Sequence, residues 1–260
     1  MNAISVKSLT AGYEHRIILE DIHVDIPEGK ITVMIGPNGC GKSTLLKNIA
    51  RIQKPKKGQV FLYQEDMQKM HSKQIAKKLA MLPQSPVTPT GLLVKELVAY
   101  GRFPYQKPLG SLSKEDYEIV NWAMKETGVY DQREQFVENL SGGQRQRVWI
   151  AMALAQQGDI LVLDEPTTYL DISYQLEILE LLKTLNQKKK QTIIMVLHEL
   201  QLACRYADHI IGMKEGKIVF EGHPKEVINE AHLQELYGIK AQLHYDKDKN
   251  YPVIMDYHIA

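Results

Sequence analysis

The stretch Ile31–Thr44, ITVMIGPNGCGKST, decides the fold. Its first five residues form a continuous apolar run, which predicts a strand buried on both faces of a sheet. The next eight residues, Gly36–Ser43, match the pattern G-x-x-x-x-G-K-[ST], in which glycines let the backbone curl so that successive N–H groups point at phosphates. A helix is expected to begin near Ser43 and to add its positive N-terminal end. Strand, loop and helix in this order favour a nucleotide-phosphate site over a Gly-rich turn without a ligand.

Each residue type in this loop suits a phosphate site. We expect Lys42 to reach the β and γ phosphates and the Ser43 hydroxyl to ligate Mg²⁺. The residues predicted to contact the nucleotide here are Gly36, Pro37, Asn38, Gly39, Cys40, Gly41, Lys42, Ser43 and Thr44. Because the Cys40 thiol would lie among N–H groups and beside Lys42, we expect a depressed pKa and reactivity toward electrophiles, with alkylation blocking ATP binding.

A second apolar run, Ile160–Leu163, ends in two carboxylates, Asp164 and Glu165. Ligands of open α/β sheets bind at the C-terminal edge of the strands, where these acids would lie. Asp164 is expected to hold Mg²⁺ through water, and Glu165 is the candidate base that polarises an attacking water. A capping acid at a strand end would explain one carboxylate but not the pair.

The rest of the chain alternates strand-like and helical patterns, which predicts a parallel sheet covered by helices. Between about Pro86 and Gly158 strand signals vanish and helical periodicity takes over. We therefore predict a single domain over 1–240, with a core at 1–86 and 158–240 and an inserted helical subdomain at 87–157. The residues 241–260 are predicted to form a short tail with a hairpin around the polar turn 246–250. The predicted strands are Ile4–Lys7, Ile17–Ile26, Gln59–Tyr63, Ile193–Leu197, two strands around Gly216 and the hairpin strands Ala241–Tyr245 and Val253–Tyr257; the predicted helices are Leu92–Tyr100, Lys114–Thr127 behind a capping box at Ser113, and a helix from Ser141 through Gln157.

Composition narrows the class of protein. The 260 residues include 32 basic and 31 acidic side chains, a net charge of +1, whereas a protein that holds nucleic acid by its own field normally shows a basic excess. Two cysteines imply no disulfide framework and fit a reducing cytoplasm. The N-terminus lacks the apolar core of a signal peptide, and no stretch reaches the ~18 consecutive apolar residues of a membrane span. We expect any membrane role to come through partner proteins.

The order of these motifs resembles the ATPase subunit of an ATP-binding cassette (ABC) transporter. The motifs that carry the resemblance, over nearly the whole chain, are Gly36–Thr44, Gln84, Leu140–Gln144 (LSGGQ), Asp164–Glu165, Asp171 and His198. The resemblance implies an α/β fold of the P-loop NTPase (RecA-like) type: a parallel-sheet core, an N-terminal antiparallel β subdomain and an inserted α-helical subdomain. It also implies that two copies pack head to tail, each ATP lying between one copy's phosphate loop and the other's LSGGQ motif.

The same resemblance assigns roles to single residues. Ser141, Gly142, Gly143 and Gln144 would cap the γ-phosphate of the second copy's ATP, since a helix that begins there offers N–H groups. Tyr13, on the first loop, is similar to the family's adenine-stacking aromatic residue. Gln84 is similar to the glutamine that senses Mg²⁺ and the attacking water. His198 would lie beside the γ-phosphate, and Asp171 would bridge the two copies.

The resemblance also indicates what ATP hydrolysis drives. We expect one cassette without fused membrane spans and a tail too short for an appended regulatory domain. The segments Val98–Tyr105 and His198–Ala203 are similar to ATPases that import iron(III)–siderophores, haem or cobalamin. We expect iron(III)–siderophore import, with a separate membrane permease and, indirectly, an extracytoplasmic substrate-binding protein as partners, no nucleic acid, and a peripheral location on the cytoplasmic face of the membrane. Haem, cobalamin, zinc or manganese importers, a soluble cofactor-assembly ATPase and a non-catalytic nucleotide-gated clamp stay open.

Overall fold

The apolar run Ile31–Ile35 forms strand β3, and all five of its residues are buried. The computed structural model describes residues 1–14, 16–87, 90–107, 110–246 and 248–260. It contains two compact units, which we call unit 1 (Met1–Met70 with Leu185–Ala260) and unit 2 (His71–Thr184). The boundary between 184 and 185 falls within helix α6, which spans Ile172–Lys189.

Unit 1 carries an antiparallel sheet and a mostly parallel one. The antiparallel sheet has the order β2-β1-β4-β5. In the second sheet β3 pairs in parallel with both β8 and β9, and β10 pairs antiparallel with β9. The elements of unit 1 are β1 (Asn2–Tyr13), β2 (Arg16–Pro27), β3, α1 (Lys42–Ile49), β4 (Lys57–Leu62), β5 (Glu65–Asp66), β8 (Thr192–Val196), α7 (Leu200–Tyr206), β9 (His209–Lys214), β10 (Lys217–Gly222), α8 (Pro224–Val227), α9 (Glu230–Tyr237), β11 (Ile239–His244) and β12 (Val253–Ile259).

Unit 2 is mainly helical around two parallel strands, β6 and β7. All four residues of β7 are buried, as its uninterrupted apolar sequence predicts. The elements of unit 2 are α2 (Ser72–Lys78), β6 (Leu79–Leu82), α3 (Val94–Ala99), a 3₁₀ helix at Tyr100–Tyr105, α4 (Lys114–Glu126), 3₁₀ turns at Tyr130–Gln132 and Val137–Asn139, α5 (Gly142–Ala155), β7 (Ile160–Leu163) and the first part of α6.

Most predicted elements are confirmed, including the capping box in which Ser113 and Asp116 bond each other's backbone N–H groups. Two details are wrong. Tyr13 is the last residue of β1 rather than a loop residue, because irregularities in the β1–β2 pairing absorb the positive φ of Ser8 and let the strand continue. Helix α5 ends at Ala155 rather than Gln157, whose left-handed φ of 55° is incompatible with a continuing helix.

The antiparallel β11–β12 pair lies where the tail hairpin is predicted. Residue 247 of the predicted polar turn, and residues 88–89 and 108–109 of the predicted helical subdomain, lie outside the described residues. The division of the chain at 86/87 and 157/158 stays a prediction. Among the helices of the described ranges, none is long and apolar enough to cross a membrane.

Candidate functional site

The loop Gly36–Gly41 joins β3 to α1 in unit 1, as predicted. A side chain at Gly36, where φ is +145°, would place its Cβ 2.0 Å from the carbonyl oxygen of Met213, so only glycine fits this exit from the strand. The backbone N–H of Gly216 donates to the Cys40 carbonyl at 3.0 Å and fixes the middle of the loop. The turn between β9 and β10 therefore supports the loop from one side.

Helix α1 begins at Lys42 behind Gly41, and within the described ranges no side chain caps it. The backbone N–H groups of its first turn can therefore donate hydrogen bonds to a phosphate. The Lys42 ammonium is buried and donates to the carbonyls of Gly36 at 2.7 Å and Pro37 at 3.0 Å. Lysine charge and helix N-terminus therefore meet at one loop, which is the arrangement that binds anions.

The expectation of a depressed pKa at Cys40 is wrong. The thiol is 4% exposed, and this burial raises its pKa, outweighing the charge of Lys42, whose Nζ lies 3.9 Å from the sulfur. The neighbouring lysine can be read from the sequence, whereas the burial cannot. Cys40 is therefore a small buried side chain that packs inside the loop.

Tyr13 lies at the end of β1 with about half of its side chain exposed. The Lys47 ammonium donates to its hydroxyl at 3.3 Å and lies 5.8 Å from the ring centroid. Lys47 belongs to α1, so the aromatic ring and the helix that follows the phosphate loop are in contact within unit 1. An exposed ring held near this helix suits stacking on a planar base.

His198 follows strand β8 and is exposed. The backbone N–H of Leu197 donates to the Met34 carbonyl of β3 at 3.3 Å, so the residue before His198 is tied to the strand that leads into the phosphate loop. Helix α7 begins two residues later, and the side-chain oxygen of its Gln201 accepts the Ile254 N–H of β12 at 2.8 Å. The histidine is therefore held between a buried strand and a helix tied to the C-terminal hairpin.

In unit 2, the two predicted carboxylates follow β7. The Asp164 N–H donates to the Leu82 carbonyl at 3.0 Å, which extends the β6–β7 ladder to this residue, and the Asp164 side chain is buried. Glu165 has a left-handed φ of 54°, an uncommon conformation for a residue with a side chain. Such backbone strain often accompanies functional sites.

Two predicted site residues of unit 2 are in direct contact. The Gln84 side-chain amide donates to Glu165 Oε2 at 2.5 Å although the residues are 81 positions apart. The hydroxyl of Thr168 donates to the same oxygen at 3.1 Å. Sequence reasoning missed Thr168; the available signal was its position three residues after Glu165 in a proline-containing turn.

The LSGGQ motif forms the N-terminus of α5. Ser141 is the N-cap: its hydroxyl accepts the Gln144 N–H at 3.3 Å, and the Gln144 side chain accepts the Ser141 N–H at 3.1 Å. A Cβ at Gly143 would come within 2.7 Å of the Tyr174 ring, which packs against this residue. Tyr174, another residue that sequence reasoning missed, thus connects the motif to the first turn of α6.

Asp171 precedes α6, and its carboxylate accepts the Tyr174 N–H at 3.1 Å and the Ser173 hydroxyl at 2.8 Å. These hydrogen bonds lower the pKa of this exposed carboxyl group, and the bond from the Tyr174 N–H has a larger effect than the bond from Ser173. Asp171 and Gly143 are therefore connected through one residue, Tyr174, within unit 2. The large exposed side chains of Tyr169 and Ile172 flank the same turn.

Comparisons with known proteins agree with these observations. The sequence model of the ABC transporter family matches residues 19–168. The chain is 50% identical over 257 residues to the iron(3+)-hydroxamate import ATP-binding protein FhuC of Bacillus subtilis (strain 168), covering 99% of this chain and 96% of FhuC. It is 46% identical over 249 residues to the ferric enterobactin transport ATP-binding protein FepC of Escherichia coli (strain K12), covering 96% and 92%.

A similar solved structure is that of MJ0796, a bacterial ABC transporter cassette in dimeric form. It matches with a TM-score of 0.74 and 30% identity over 85% of this chain and 98% of that one. The chain therefore belongs to the ABC transporter family. Its α/β fold is that of a P-loop NTPase, and the roles of the single site residues stay predictions.

Proposed function

We propose that this protein is the ATP-binding and ATP-hydrolysing subunit of an ABC importer that takes up iron(III)–siderophore complexes. The observation that carries the proposal is the near full-length similarity to FhuC, at 50% identity over 99% of this chain. The intact phosphate loop and the paired acids Asp164 and Glu165 support hydrolysis in addition to binding.

ATP binding by one copy would rest on residues of unit 1. Lys42 and the N–H groups of the loop would hold the β and γ phosphates, and Tyr13 would stack on the adenine. The remaining loop residues Gly36, Pro37, Asn38, Gly39, Cys40, Gly41, Ser43 and Thr44 would surround the phosphates. A buried ammonium that already donates to two carbonyl oxygens is prepared to exchange these acceptors for phosphate oxygens.

The residues assigned to Mg²⁺ are Ser43, Gln84 and Asp164, and their oxygens suit this hard cation. Groups of three or more His, Cys, Asp or Glu side chains able to hold a metal are absent from the described residues. Mg²⁺ is usually bound by one or two carboxylates together with substrate phosphates and waters. When bound, Mg²⁺ neutralises charge that develops on the phosphate oxygens.

For hydrolysis, Glu165 would polarise the attacking water, and His198 would contact the γ-phosphate. General-base assistance contributes about 10²–10⁴ in rate, so Glu165→Gln should lower turnover by at least about 10² while leaving ATP binding intact. The contact between Gln84 and Glu165 supports a shared role for these two side chains.

A second copy of the chain would complete the site. Ser141, Gly142, Gly143 and Gln144 would approach the γ-phosphate bound by the partner copy, and Asp171 would bridge the two copies. The exposure of Ser141 and Gly142 and the contacts of Tyr174 with both Gly143 and Asp171 support this assignment. The dimeric form of the MJ0796 cassette supports it as well. ATP would then close the pair, because ADP lacks the phosphate that bridges them.

The importer would also contain a membrane permease, which this chain would contact from the cytoplasmic face, and a substrate-binding protein on the other side. FhuC is named for the import of iron(3+)-hydroxamate and FepC for the transport of ferric enterobactin, so both names specify a complex of iron(III). The similarity therefore supports iron(III) complexes as the class of cargo. Which chelator binds the iron is a question for experiment.

The test combines turnover with uptake. Cells that lack this subunit should regain uptake of ⁵⁵Fe(III)–hydroxamate or ⁵⁵Fe(III)–catecholate complexes when the wild-type chain is restored, and Lys42→Ala or Glu165→Gln should abolish this. Lys240→Ala, an exposed lysine on β11, is the control that should retain uptake. Restored uptake of haem or cobalamin instead of iron(III) complexes would reassign the cargo. ATP turnover without any membrane association would contradict the importer and favour a cofactor-assembly ATPase.

A further inference from the structure

The proposed base, Glu165, begins a tight turn whose last residue is Thr168. The Thr168 backbone N–H donates to the Glu165 carbonyl at 3.3 Å, which closes the turn. Pro166 occupies the second position, where its fixed φ suits a turn. The backbone alone therefore brings residue 168 next to residue 165.

The Thr168 side chain then makes a separate contact. Its hydroxyl donates to Glu165 Oε2 at 3.1 Å, and the Gln84 amide donates to the same oxygen at 2.5 Å. Two donors that arrive from different segments restrict the rotation of the carboxylate about its terminal bond, which is otherwise broad. Hydrogen bonds to an ionised acceptor are also stronger than those between neutral groups.

We propose that Thr168 is a positioning residue for ATP hydrolysis, which acts by orienting the Glu165 carboxylate toward the attacking water. The inference rests on the proposed function, since it assumes that Glu165 is the base. Thr168 itself would not touch nucleotide or water. Glu165 has a left-handed φ of 54°, and the two hydrogen bonds to Oε2 hold the far end of its side chain.

The hydroxyl can be tested apart from the turn. Thr168→Val has nearly the same shape and keeps the backbone N–H that closes the turn, but it removes the donor to Oε2. Thr168→Ser keeps the donor and removes only a methyl group. The pair therefore separates orientation of the carboxylate from folding of the segment.

The measurement is steady-state phosphate release by the full-length chain over a range of MgATP and protein concentrations. We expect Thr168→Val to lower kcat about 10- to 100-fold, the range for losing one hydrogen bond to a charged group, with KM changed less than about two-fold. Thr168→Ser should restore kcat to within about three-fold of wild type, because the donor is present again. In a Glu165→Gln background, Thr168→Val should change the residual rate by less than about two-fold, because the group it orients is no longer a base.

Three results would overturn the proposal: a Thr168→Val kcat close to wild type, equal losses in the Ser and Val variants, or a full additional loss in the Glu165→Gln background. If Thr168→Val lowers the melting temperature, Thr168→Ala is measured under conditions where it is folded, with the same expectation for kcat. A wild-type chain that releases no phosphate would reject the proposed function itself, a result distinct from wild-type turnover that is indifferent to Thr168.

Discussion

Replacing Asp116 by Asn should destabilise unit 2, because it removes the charged partner of the buried Arg102 guanidinium group. Arg102 is 4% exposed, and its Nε donates to Asp116 Oδ1 at 2.8 Å. Its Nη1 donates to the Ala155 carbonyl at 2.9 Å, and the group lies 3.8 Å from the Tyr105 ring centroid. Arg102 thus joins the 3₁₀ helix at 100–105 to the start of α4 and the end of α5.

The two oxygens of Asp116 have different partners. While Oδ1 accepts from Arg102, Oδ2 accepts the Ser113 N–H at 3.0 Å and the Ser113 hydroxyl at 2.8 Å. Asn has one side-chain oxygen, so its NH₂ group must face a donor of either Arg102 or Ser113. Breaking a fully buried ion pair costs about 3–5 kcal/mol, and because the Asp116 side chain is 14% exposed we expect about 2–3 kcal/mol. For a chain of this size that loss lowers Tm by roughly 5–10 °C.

The stability difference between wild type and Asp116→Asn should also depend on pH in a defined direction. Burial would raise the pKa of Asp116, but hydrogen bonds from Arg102 and Ser113 and the charge of Arg102 outweigh it and lower the pKa. A carboxyl group whose folded pKa lies below its unfolded value of about 3.9 stabilises the fold above that pH and loses the contribution as pH falls through the folded pKa. The difference between wild type and Asp116→Asn should therefore stay constant from pH 7 to about 5 and shrink below about 4.

The assay is denaturant unfolding of both proteins across this pH range, with Glu115→Gln as the control. Glu115 lies in the same first turn of α4 but is exposed, so its loss should cost less than about 1 kcal/mol. A cost at Asp116 no larger than at Glu115, or a difference that grows as pH falls, would refute the reasoning.

Other consequences of the structure are open to direct measurement. Cys40 and Cys204 should react with N-ethylmaleimide at pH 7.5 at least about 10-fold more slowly in the native chain than in the denatured chain, because burial raises the pKa of both thiols, that of Cys204 to about 12; equal rates would contradict this. Ser141→Ala should cost about 1 kcal/mol of stability through the lost N-cap and lower ATP turnover by weakening the ATP-bound dimer, while ATP binding by the monomer stays unchanged, as calorimetric titration at low protein concentration can show; a loss of ATP affinity in the monomer would count against the cap role. Gln201→Leu should speed hydrogen exchange in β12 by about 5-fold or more because the Ile254 N–H loses its acceptor, and unchanged protection would count against that contact.

Sequence patterns predicted those features that depend on neighbouring residues. A short run of neighbouring residues determines each of three features: the strand at Ile31–Ile35, the phosphate loop and the start of the LSGGQ helix. The structure contains all three. Contacts between distant segments could not be predicted from local sequence patterns. Gln84 contacts Glu165, 81 positions away, and Arg102 donates to the Ala155 carbonyl, 53 positions away. The predicted direction of the Cys40 pKa shift was wrong because the burial that raises this pKa comes from the folded chain and cannot be read from neighbouring residues.

Joint binding of ATP by two copies of the chain is the central feature of the proposed mechanism. Light scattering of the Glu165→Gln variant tests this, since it should bind MgATP without turning it over. We predict that saturating MgATP converts it to a dimer of twice the monomer mass and that adding Ser141→Ala weakens this dimer, whereas MgADP leaves monomers. A Glu165→Gln chain that binds MgATP fully and still scatters as a monomer, alone and together with its permease, would contradict the account.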